Sequence, residues 1–262
     1  MCLRLRMATS DEQITAVLLV GGLGTRLRSV VPSAPKPLAS IGERPFLELL
    51  VRQLQCQGIR RLVMCTGYRA HYIEMEFGDG HAWGMTIEYS TEHQPLGTAG
   101  AIRLAQPHLR GVPDFLVMNG DSFMDIDFSQ LIRFHRESGG LVSMAVVRMK
   151  NEMRYGTVEL TENGRVVGFL EKSGGTAPGL VNAGVYVFNH RVLEHLPEGA
   201  ASLEKDVFPK LLRHGVYALE QHGVFIDIGI PEDYARAQEL CGSLYEAALR
   251  KHNRGTGGRK TS

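Results

Sequence analysis

The sequence lacks the features that direct a chain to or across a membrane. It contains no apolar run of about 18 residues, the length that a membrane-spanning helix needs, so we expect no membrane partner. The segment from Met1 to Ser10 carries Arg4 and Arg6 but no apolar stretch of the kind found in a signal peptide. These two absences predict a cytoplasmic protein.

Cysteine and excess charge are also scarce. None of the four cysteines, Cys2, Cys56, Cys65 and Cys241, follows a Cys-x-x-Cys spacing, which argues against a zinc site or a disulfide framework. Cys56 and Cys65 lie in apolar stretches and are predicted to be reduced core residues. The 29 basic side chains nearly balance the 28 acidic ones. A general nucleic-acid binder shows a basic excess, so we expect no nucleic-acid partner.

What the sequence does have is a glycine-rich loop near its N-terminus. The apolar run Ala16–Val20 has the length and β-branched content of a buried strand. The loop that follows it comprises Gly21, Gly22, Gly24, Thr25 and Arg26. Glycine lets backbone N–H groups approach a ligand closely, so such a loop can wrap phosphate oxygens. Arg26 adds a planar fork of donors, and Lys36, between two prolines, adds a point charge.

Two better-known phosphate loops are excluded. A P-loop closes with Gly-Lys-Ser/Thr, whereas this loop closes with Gly-Thr-Arg, and the dinucleotide fingerprint needs a glycine where Leu27 stands. A tight turn with solvated Arg26 and Lys36 is the alternative. The loop and the Pro-Lys-Pro run Pro35–Pro37 resemble the signature of the sugar-1-phosphate nucleotidyltransferases, the nucleoside-diphosphate-sugar pyrophosphorylases.

Strand and helix patterns alternate along the first half of the chain, which predicts a parallel, doubly wound sheet. Past Ile132 short strand patterns follow one another and predict antiparallel additions. Helices are predicted at Leu203–Leu212 and Pro231–Leu249. We expect an extension at 1–14, one α/β domain at 15–250 and a disordered tail at 251–262. The resemblance implies a Rossmann-like mixed sheet between helices, the nucleotide-diphospho-sugar transferase fold.

Two aspartates follow apolar strand patterns far apart in the chain. Asp121 follows Phe115–Met118, and Asp227 ends a later apolar run. Such a pair suits Mg²⁺, which takes one or two carboxylates plus phosphate oxygens and water. The alternatives are a helix N-cap for Asp121 and a turn aspartate for Asp227. In the family that the sequence resembles, the metal aspartates match these two positions. Asp125 and Asp127 are interpreted instead as shaping the turn before the helix near Ser129.

The resemblance covers roughly Ala16 to Gln238 and implies further site residues. Gln94, Gly97 and Thr98 would face the nucleotide, with Gln94 matching the edge of the base. The sugar side would comprise Asn119, Tyr155, Gly156, Glu171 and Asn182. Arg26, Lys36 and Lys172 would be catalytic, with Lys172 holding the sugar phosphate. If the resemblance is set aside, the local sequence predicts a half-buried strand aromatic at Tyr155 and an exposed charged turn at Glu171–Lys172.

The activity that the resemblance implies is Mg²⁺-dependent conversion of an NTP and a sugar 1-phosphate to an NDP-sugar and pyrophosphate. Within the family, the segments Asn119–Asp127, Arg154–Val158 and Phe225–Tyr234 are most similar to the D-glycero-D-manno-heptose 1-phosphate guanylyltransferases. We therefore expect GTP and a heptose 1-phosphate as substrates, with GDP-heptose serving polysaccharide biosynthesis. A mannose-1-phosphate guanylyltransferase or a uridylyl or thymidylyl relative is the runner-up. A glycosyltransferase and a non-catalytic regulatory paralogue are the other classes, and assembly into a homo-oligomer is compatible with all of them.

Overall fold

The structure, a computed structural model, describes residues 14–22, 24–27, 30–31, 35–149, 157–170 and 179–250. Of the predicted N-terminal extension only Ile14 is described, and the predicted tail at 251–262 lies outside the described residues. Across the described ranges, no helix combines the length and apolar character needed to cross a membrane. The remaining statements on the fold concern these ranges.

The strands of the described residues are β1 (Thr15–Leu19), β2 (Ser40–Ile41), β3 (Arg44–Pro45), β4 (Arg61–Thr66), β5 (Thr86–Thr91), β6 (Asp114–Asn119), β7 (Ser122–Met124), β8 (Val142–Met149), β9 (Thr157–Leu160), β10 (Val166–Leu170), β11 (Gly179–Asn189), β12 (Val216–Gln221) and β13 (Phe225–Asp227). The α-helices are α1 (Phe46–Cys56), α2 (Ala70–Phe77), α3 (Gly97–Leu104), α4 (Phe128–Ser138), α5 (Phe208–Leu211), α6 (Pro231–Glu239) and α7 (Cys241–Ala248).

One half of the central sheet is parallel and doubly wound, as the sequence predicts. Its strands run in the order β6-β1-β4-β5, and Val17 of β1 stands in register with Val63 of β4 and Val117 of β6. Because all four strands point the same way, their carboxyl ends meet at one edge of the sheet. Ligands of doubly wound sheets bind at that edge.

The other half of the sheet is built around the long strand β11. This strand pairs antiparallel with β6, β8 and β9, which confirms the predicted antiparallel additions. The sequence analysis does not predict β12, which pairs parallel with β8 at the sheet edge. Val216 and Ala218 of β12 are buried while Tyr217 and Leu219 are half-buried, as expected of a strand at the edge of a sheet.

Each face of the sheet has its own buried cluster, because side chains alternate along every strand. Ala16 and Leu18 of β1 join one cluster with residues of α1, α4 and α7. Val17 joins the other with Ile102 of α3 and Phe208 of α5. The predicted α/β class, a mixed sheet between helices, is therefore confirmed.

Two predicted helices are wrong in detail. The stretch Leu203–Leu212 is a wide π turn followed by the single-turn helix α5, because Pro209 has no N–H to donate to a continuous helix. The stretch Pro231–Leu249 breaks at Leu240 into α6 and α7. The break lets the Gln238 amide donate to the Ser40 carbonyl at 2.5 Å while the next helix brings Cys241 against the Ile41 carbonyl.

The start of α3 is joined directly to the segment 199–201 by backbone contacts. The Ala99 N–H donates to the Ala201 carbonyl at 2.9 Å, and the Ala201 N–H donates to the Leu96 carbonyl at 2.8 Å. A Cβ added at Gly100 would lie 2.4 Å from the Gly199 carbonyl oxygen. The contact requires glycine because a carbonyl oxygen of the opposing backbone occupies the space of any side chain.

We predict that Gly100→Ala destabilises the protein by roughly 1–3 kcal/mol, since it overpacks a backbone contact. Gly242→Ala is the matched control, because Gly242 lies in α7 with nothing within 4 Å of an added Cβ. There the substitution should stabilise by up to about 1 kcal/mol. Urea denaturation of both variants measures the difference, and a stabilising Gly100→Ala would contradict the close contact.

Candidate active site

The carboxyl ends of β1, β4 and β6 open onto a cleft of about 450 Å³. Five of the predicted nucleotide-binding residues line it, namely Gly21, Gly22, Gly24, Gly97 and Thr98. The charged side chains among its lining residues are Arg26, Lys36, Glu92 and Asp121. The edge of the sheet at which these parallel strands end is therefore an open cavity lined by charge of both signs.

The glycine-rich loop is held at both ends by backbone hydrogen bonds. The Val20 N–H donates to the Cys65 carbonyl at 2.9 Å, which ties the start of the loop to β4. The Leu27 N–H donates to the Gly24 carbonyl at 3.1 Å, and the Leu27 side chain is buried. This anchoring leaves Arg26 exposed at the cleft, where its guanidinium is available to a ligand.

Lys36 crosses from the loop segment to the end of β6. Its Nζ lies 2.5 Å from Asp121 Oδ2, and its side chain is only 11% exposed. Gly24 packs directly on it, since a Cβ at Gly24 would lie 2.9 Å from Lys36 Cβ. The ion pair therefore fixes the loop that follows β1 against the strand end that carries Asp121.

Asp227 reaches the same place through a small separate sheet. Strand β13 pairs antiparallel with β7, which places Asp227 opposite Ser122, and the Ile228 N–H donates to the Asp121 carbonyl at 2.9 Å. The Asp227 carboxylate accepts a hydrogen bond from the Gly229 N–H at 2.6 Å. The structure thus brings together the two aspartates that the sequence analysis pairs, and the Asp227 carboxylate, like that of Asp121, lies beside Lys36.

Burial and the neighbouring Asp121 charge raise the pKa of Asp227 to about 6, although Lys36 and the Gly229 N–H oppose the shift. One ammonium therefore offsets only part of the charge of two carboxylates. Among the described residues no group of three or more His, Cys, Asp or Glu side chains could hold a metal alone. The donor set fits an ion such as Mg²⁺, which completes its coordination with substrate phosphates and water.

The cleft lining also contains a carboxylate, that of Glu92, which is not among the residues assigned from sequence. Glu92 directly follows β5 and lines the cleft, whereas Gln94 is exposed and is not among the lining residues. Glu92 Oε2 accepts the Leu96 N–H at 3.0 Å, and burial raises the pKa of this carboxyl. Its position at the carboxyl end of a parallel strand is the signal that could have found it.

The cysteine in the cleft wall is not poised for chemistry. Cys65 is buried, and burial, with the nearby Glu92 charge as the second cause, raises the pKa of its thiol to about 12. Only the thiolate is a good nucleophile, so Cys65 is inert at neutral pH. Its burial agrees with the predicted core role, while Cys56 is only half-buried.

The predicted sugar side is described only in part. Asn119 lines the cleft, and its side-chain oxygen is buried with no hydrogen-bond partner among the described residues. Asn182 lies in β11 and is not among the lining residues. Four predicted residues, Tyr155, Gly156, Glu171 and Lys172, lie outside the described residues, as does the side chain of Thr25.

The predicted turn aspartates have structural roles. The Asp127 side chain caps α4 by accepting the Ser129 N–H at 2.9 Å, which confirms the predicted turn before that helix. Asp125 pairs with Arg250 at 2.6 Å and is buried. Neither residue lines the cleft.

Comparison with known proteins supplies a family for this arrangement. Residues 15–243 match the family described as Nucleotidyl transferase. The chain is 40% identical over 252 residues to a mannose-1-phosphate guanylyltransferase of Mycobacterium tuberculosis, covering 94% of this chain and 69% of that protein. It is also 40% identical over 227 residues to a D-glycero-alpha-D-manno-heptose 1-phosphate guanylyltransferase of Aneurinibacillus thermoaerophilus, covering 86% of this chain and 96% of that protein.

A solved structure agrees with these matches. HddC from Yersinia pseudotuberculosis, complexed with GMP-PN, aligns with a TM-score of 0.77 and 33% identity, covering 86% of this chain and 98% of that one. The chain spans just under two thirds of the length of the animal relatives that it also matches. Those relatives therefore contain residues that lie outside the match with this chain.

We predict that Asp227→Asn stabilises the metal-free protein at pH 7 by on the order of 2–3 kcal/mol, the free energy that corresponds to the raised pKa. In the unfolded chain this carboxyl ionises near pH 3.8, but in the folded protein it ionises at about 6. The wild type should therefore lose stability as the pH rises from about 4 to about 6, and the variant should lose less.

Chemical denaturation at several pH values in EDTA tests this prediction. If the free energies of unfolding of wild type and Asp227→Asn change in parallel with pH, folding does not raise the pKa of Asp227, and the prediction is wrong. The amide can still accept the Gly229 N–H, so any difference reports charge and not the lost hydrogen bond.

Proposed function

The chain belongs to the nucleotidyl transferase family, and from that premise we propose that it transfers a nucleotidyl group from GTP to a sugar 1-phosphate and releases pyrophosphate. The observation that carries the proposal is the meeting of the glycine-rich loop, Lys36 and two aspartates at one sheet edge. We propose D-glycero-D-manno-heptose 1-phosphate as the sugar substrate, because the heptose relative matches over nearly its whole length. Mannose 1-phosphate is the second candidate, because the mannose relative is equally identical.

The reaction needs no protein nucleophile. The attacking sugar phosphate oxygen is already anionic, and Cys65, a thiol in the cleft wall, is protonated at neutral pH. Catalysis then consists of positioning and of charge stabilisation in the transition state. Backbone N–H groups of the loop and the exposed Arg26 guanidinium would hold the triphosphate. We further propose that the reaction takes place in the cytoplasm.

We assign Lys36 a role in holding the triphosphate. In the structure its ammonium pairs with Asp121. A triphosphate in the cleft would offer Lys36 a stronger anionic partner and would leave Asp121 and Asp227 free to hold Mg²⁺. When bound, Mg²⁺ would neutralise charge on the reacting phosphates. Lys172, carried over from the family resemblance, would hold the sugar phosphate.

Glu92 is the residue that we propose reads the base. Guanine presents N1–H and N2–H₂ donors on one edge, and a carboxylate accepts from such donors with charge-assisted bonds about twice as strong as neutral ones. The same carboxylate would repel the two carbonyl oxygens of uracil or thymine. The Oε2 atom of Glu92 is held by the Leu96 N–H, so the side chain is fixed before the base arrives.

The experiment that tests the function measures pyrophosphate release for each of the four NTPs against heptose 1-phosphate, mannose 1-phosphate and glucose 1-phosphate, with Mg²⁺ or with EDTA. The proposal predicts the highest kcat/KM for GTP with one of the first two sugars, and no turnover in EDTA. Release of a nucleoside diphosphate from an NDP-sugar, without pyrophosphate, would indicate a glycosyltransferase. A preference for UTP or dTTP would contradict the guanylyl assignment.

Base selection gives a sharper prediction. Glu92→Gln should reduce the preference for GTP over UTP by roughly tenfold, because it replaces a charge-assisted bond with a neutral one. Gln94→Ala is the control that separates this assignment from the sequence prediction, since Gln94 is exposed outside the cleft lining. If Gln94→Ala changes the GTP preference and Glu92→Gln does not, Gln94 reads the base.

Arg26→Ala should cost roughly 3 kcal/mol of transition-state stabilisation, the scale of losing one preorganised donor to a developing charge. Its stability should barely change because the side chain is exposed. The measurement is kcat/KM for GTP together with a thermal melt. A near-native kcat/KM would show that Arg26 does not bind the triphosphate.

A further inference from the structure

Three hydroxyl groups converge on the carboxylate of Glu204, a residue outside the cleft lining. Tyr186 donates to Oε1 at 3.3 Å, while Ser202 and Thr98 donate to Oε2 at 2.9 Å and 3.4 Å. Glu204 itself belongs to the π turn that precedes α5. Two of the three hydroxyls lead towards the cleft, one on the sugar side and one on the nucleotide side.

The first path runs through Tyr186 to Asn182. The Asn182 Nδ2 group donates to the Tyr186 hydroxyl oxygen at 2.7 Å, and Asn182 Oδ1 accepts the Gly184 N–H at 3.0 Å. Burial, followed by the Glu204 charge, raises the pKa of Tyr186, so its hydroxyl keeps its proton. Because that proton goes to Glu204, the Tyr186 oxygen must accept, and the Asn182 amide has one allowed orientation.

A bulge in β11 brings the strand that carries this amide against a residue of the cleft lining. Asn182 stands opposite Val146 of β8 but Tyr186 stands opposite Met144, so the register shifts between them. Inside the bulge Gly184 adopts a φ of +71°, and a Cβ there would lie 2.7 Å from Asn119 Nδ2. Bulges commonly re-aim side chains beside active sites. The bulge brings the Asn182 segment against Asn119, which lines the cleft.

The second path runs through Thr98 to the start of α3. The Thr98 hydroxyl accepts the Leu203 N–H at 2.7 Å and donates to Glu204. Its neighbour Gly97 lines the cleft and fits so closely that a Cβ there would lie 2.5 Å from the Ala201 carbonyl oxygen. The first turn of α3 is therefore positioned by the segment that carries Glu204.

We infer that Glu204 is a positioning residue that orients both halves of the site, the Asn182 amide through Tyr186 and the Gly97–Thr98 turn through Thr98. The inference rests on the proposed function for its kinetic consequences. A single carboxylate has enough acceptor sites for three donors. Alanine has neither oxygen, so Glu204→Ala leaves all three hydroxyls without this acceptor.

The kinetic test compares variants that break one path, both paths or neither. Tyr186→Phe should raise KM for the sugar 1-phosphate about fivefold to tenfold with KM for GTP nearly unchanged, on the scale of one hydrogen bond. Thr98→Val should raise KM for GTP and leave the sugar KM unchanged. Glu204→Ala, which removes both oxygens, should raise both. Ser202→Ala is the control, since it removes a hydroxyl on Oε2 that leads to neither substrate.

The combination of two variants separates positioning from general damage. If Glu204 acts on the sugar side through Tyr186, the Tyr186→Phe/Glu204→Ala double variant should have the same sugar KM as Glu204→Ala alone. If the two effects on the sugar KM multiply instead, the inference is overturned. It is also overturned by a Glu204→Ala variant that melts earlier but keeps both wild-type KM values, because that outcome describes a structural role only.

A measurement that needs no turnover distinguishes failure of this inference from failure of the proposed function. In protein labelled with ¹⁵N-asparagine, the Asn182 side-chain amide signals are identified by their loss in Asn182→Asp. Tyr186→Phe and Glu204→Ala should shift these signals and speed their exchange with water, and Ser202→Ala should not. Unchanged Asn182 signals in Glu204→Ala would overturn the inference whether or not the wild type releases pyrophosphate.

Discussion

The ion pair between Lys36 and Asp121 is the contact on which the geometry of the site depends. It joins a loop near the N-terminus to the end of a strand in the middle of the chain, across 85 positions of sequence. An ammonium that is only 11% exposed is costly unless it has an anionic partner, so loop and strand end are held together by charge as well as by packing. Asp227 then joins the pair because β13 is hydrogen-bonded to β7.

The same arrangement leaves the site with unbalanced negative charge. Burial, and after it the repulsion from Asp121, raises the pKa of Asp227, so the folded protein holds a proton there at pH values at which the unfolded chain has already released it. The Asp227 carboxylate is therefore destabilised in the folded protein by burial and by a like charge, and a neighbouring cation would offset that cost.

Much of this site could be predicted from sequence because its signals are local. The glycine-rich loop, with Lys36 shortly after it, and the two aspartates each follow an apolar strand pattern. A parallel sheet brings the carboxyl ends of its strands to one edge. Glu92 is not assigned from sequence because the resemblance points to Gln94, two positions on, and only the chain path past β5 shows that Glu92 lines the cleft. Other features depend on contacts between residues far apart in the sequence, and no local pattern predicts such contacts. They are strand β12, the break at Leu240 and the hydroxyl groups around Glu204.

The central claim is direct displacement on the nucleotide by the sugar phosphate, with the protein supplying position and charge but no covalent intermediate. Exchange of labelled pyrophosphate into GTP tests it most directly. The account predicts exchange in the presence of Mg²⁺ and the GDP-sugar product, because pyrophosphate then reverses the displacement, and no exchange with GTP and the enzyme alone. Exchange into GTP without any sugar compound would require a nucleotidyl-enzyme intermediate and would contradict the account.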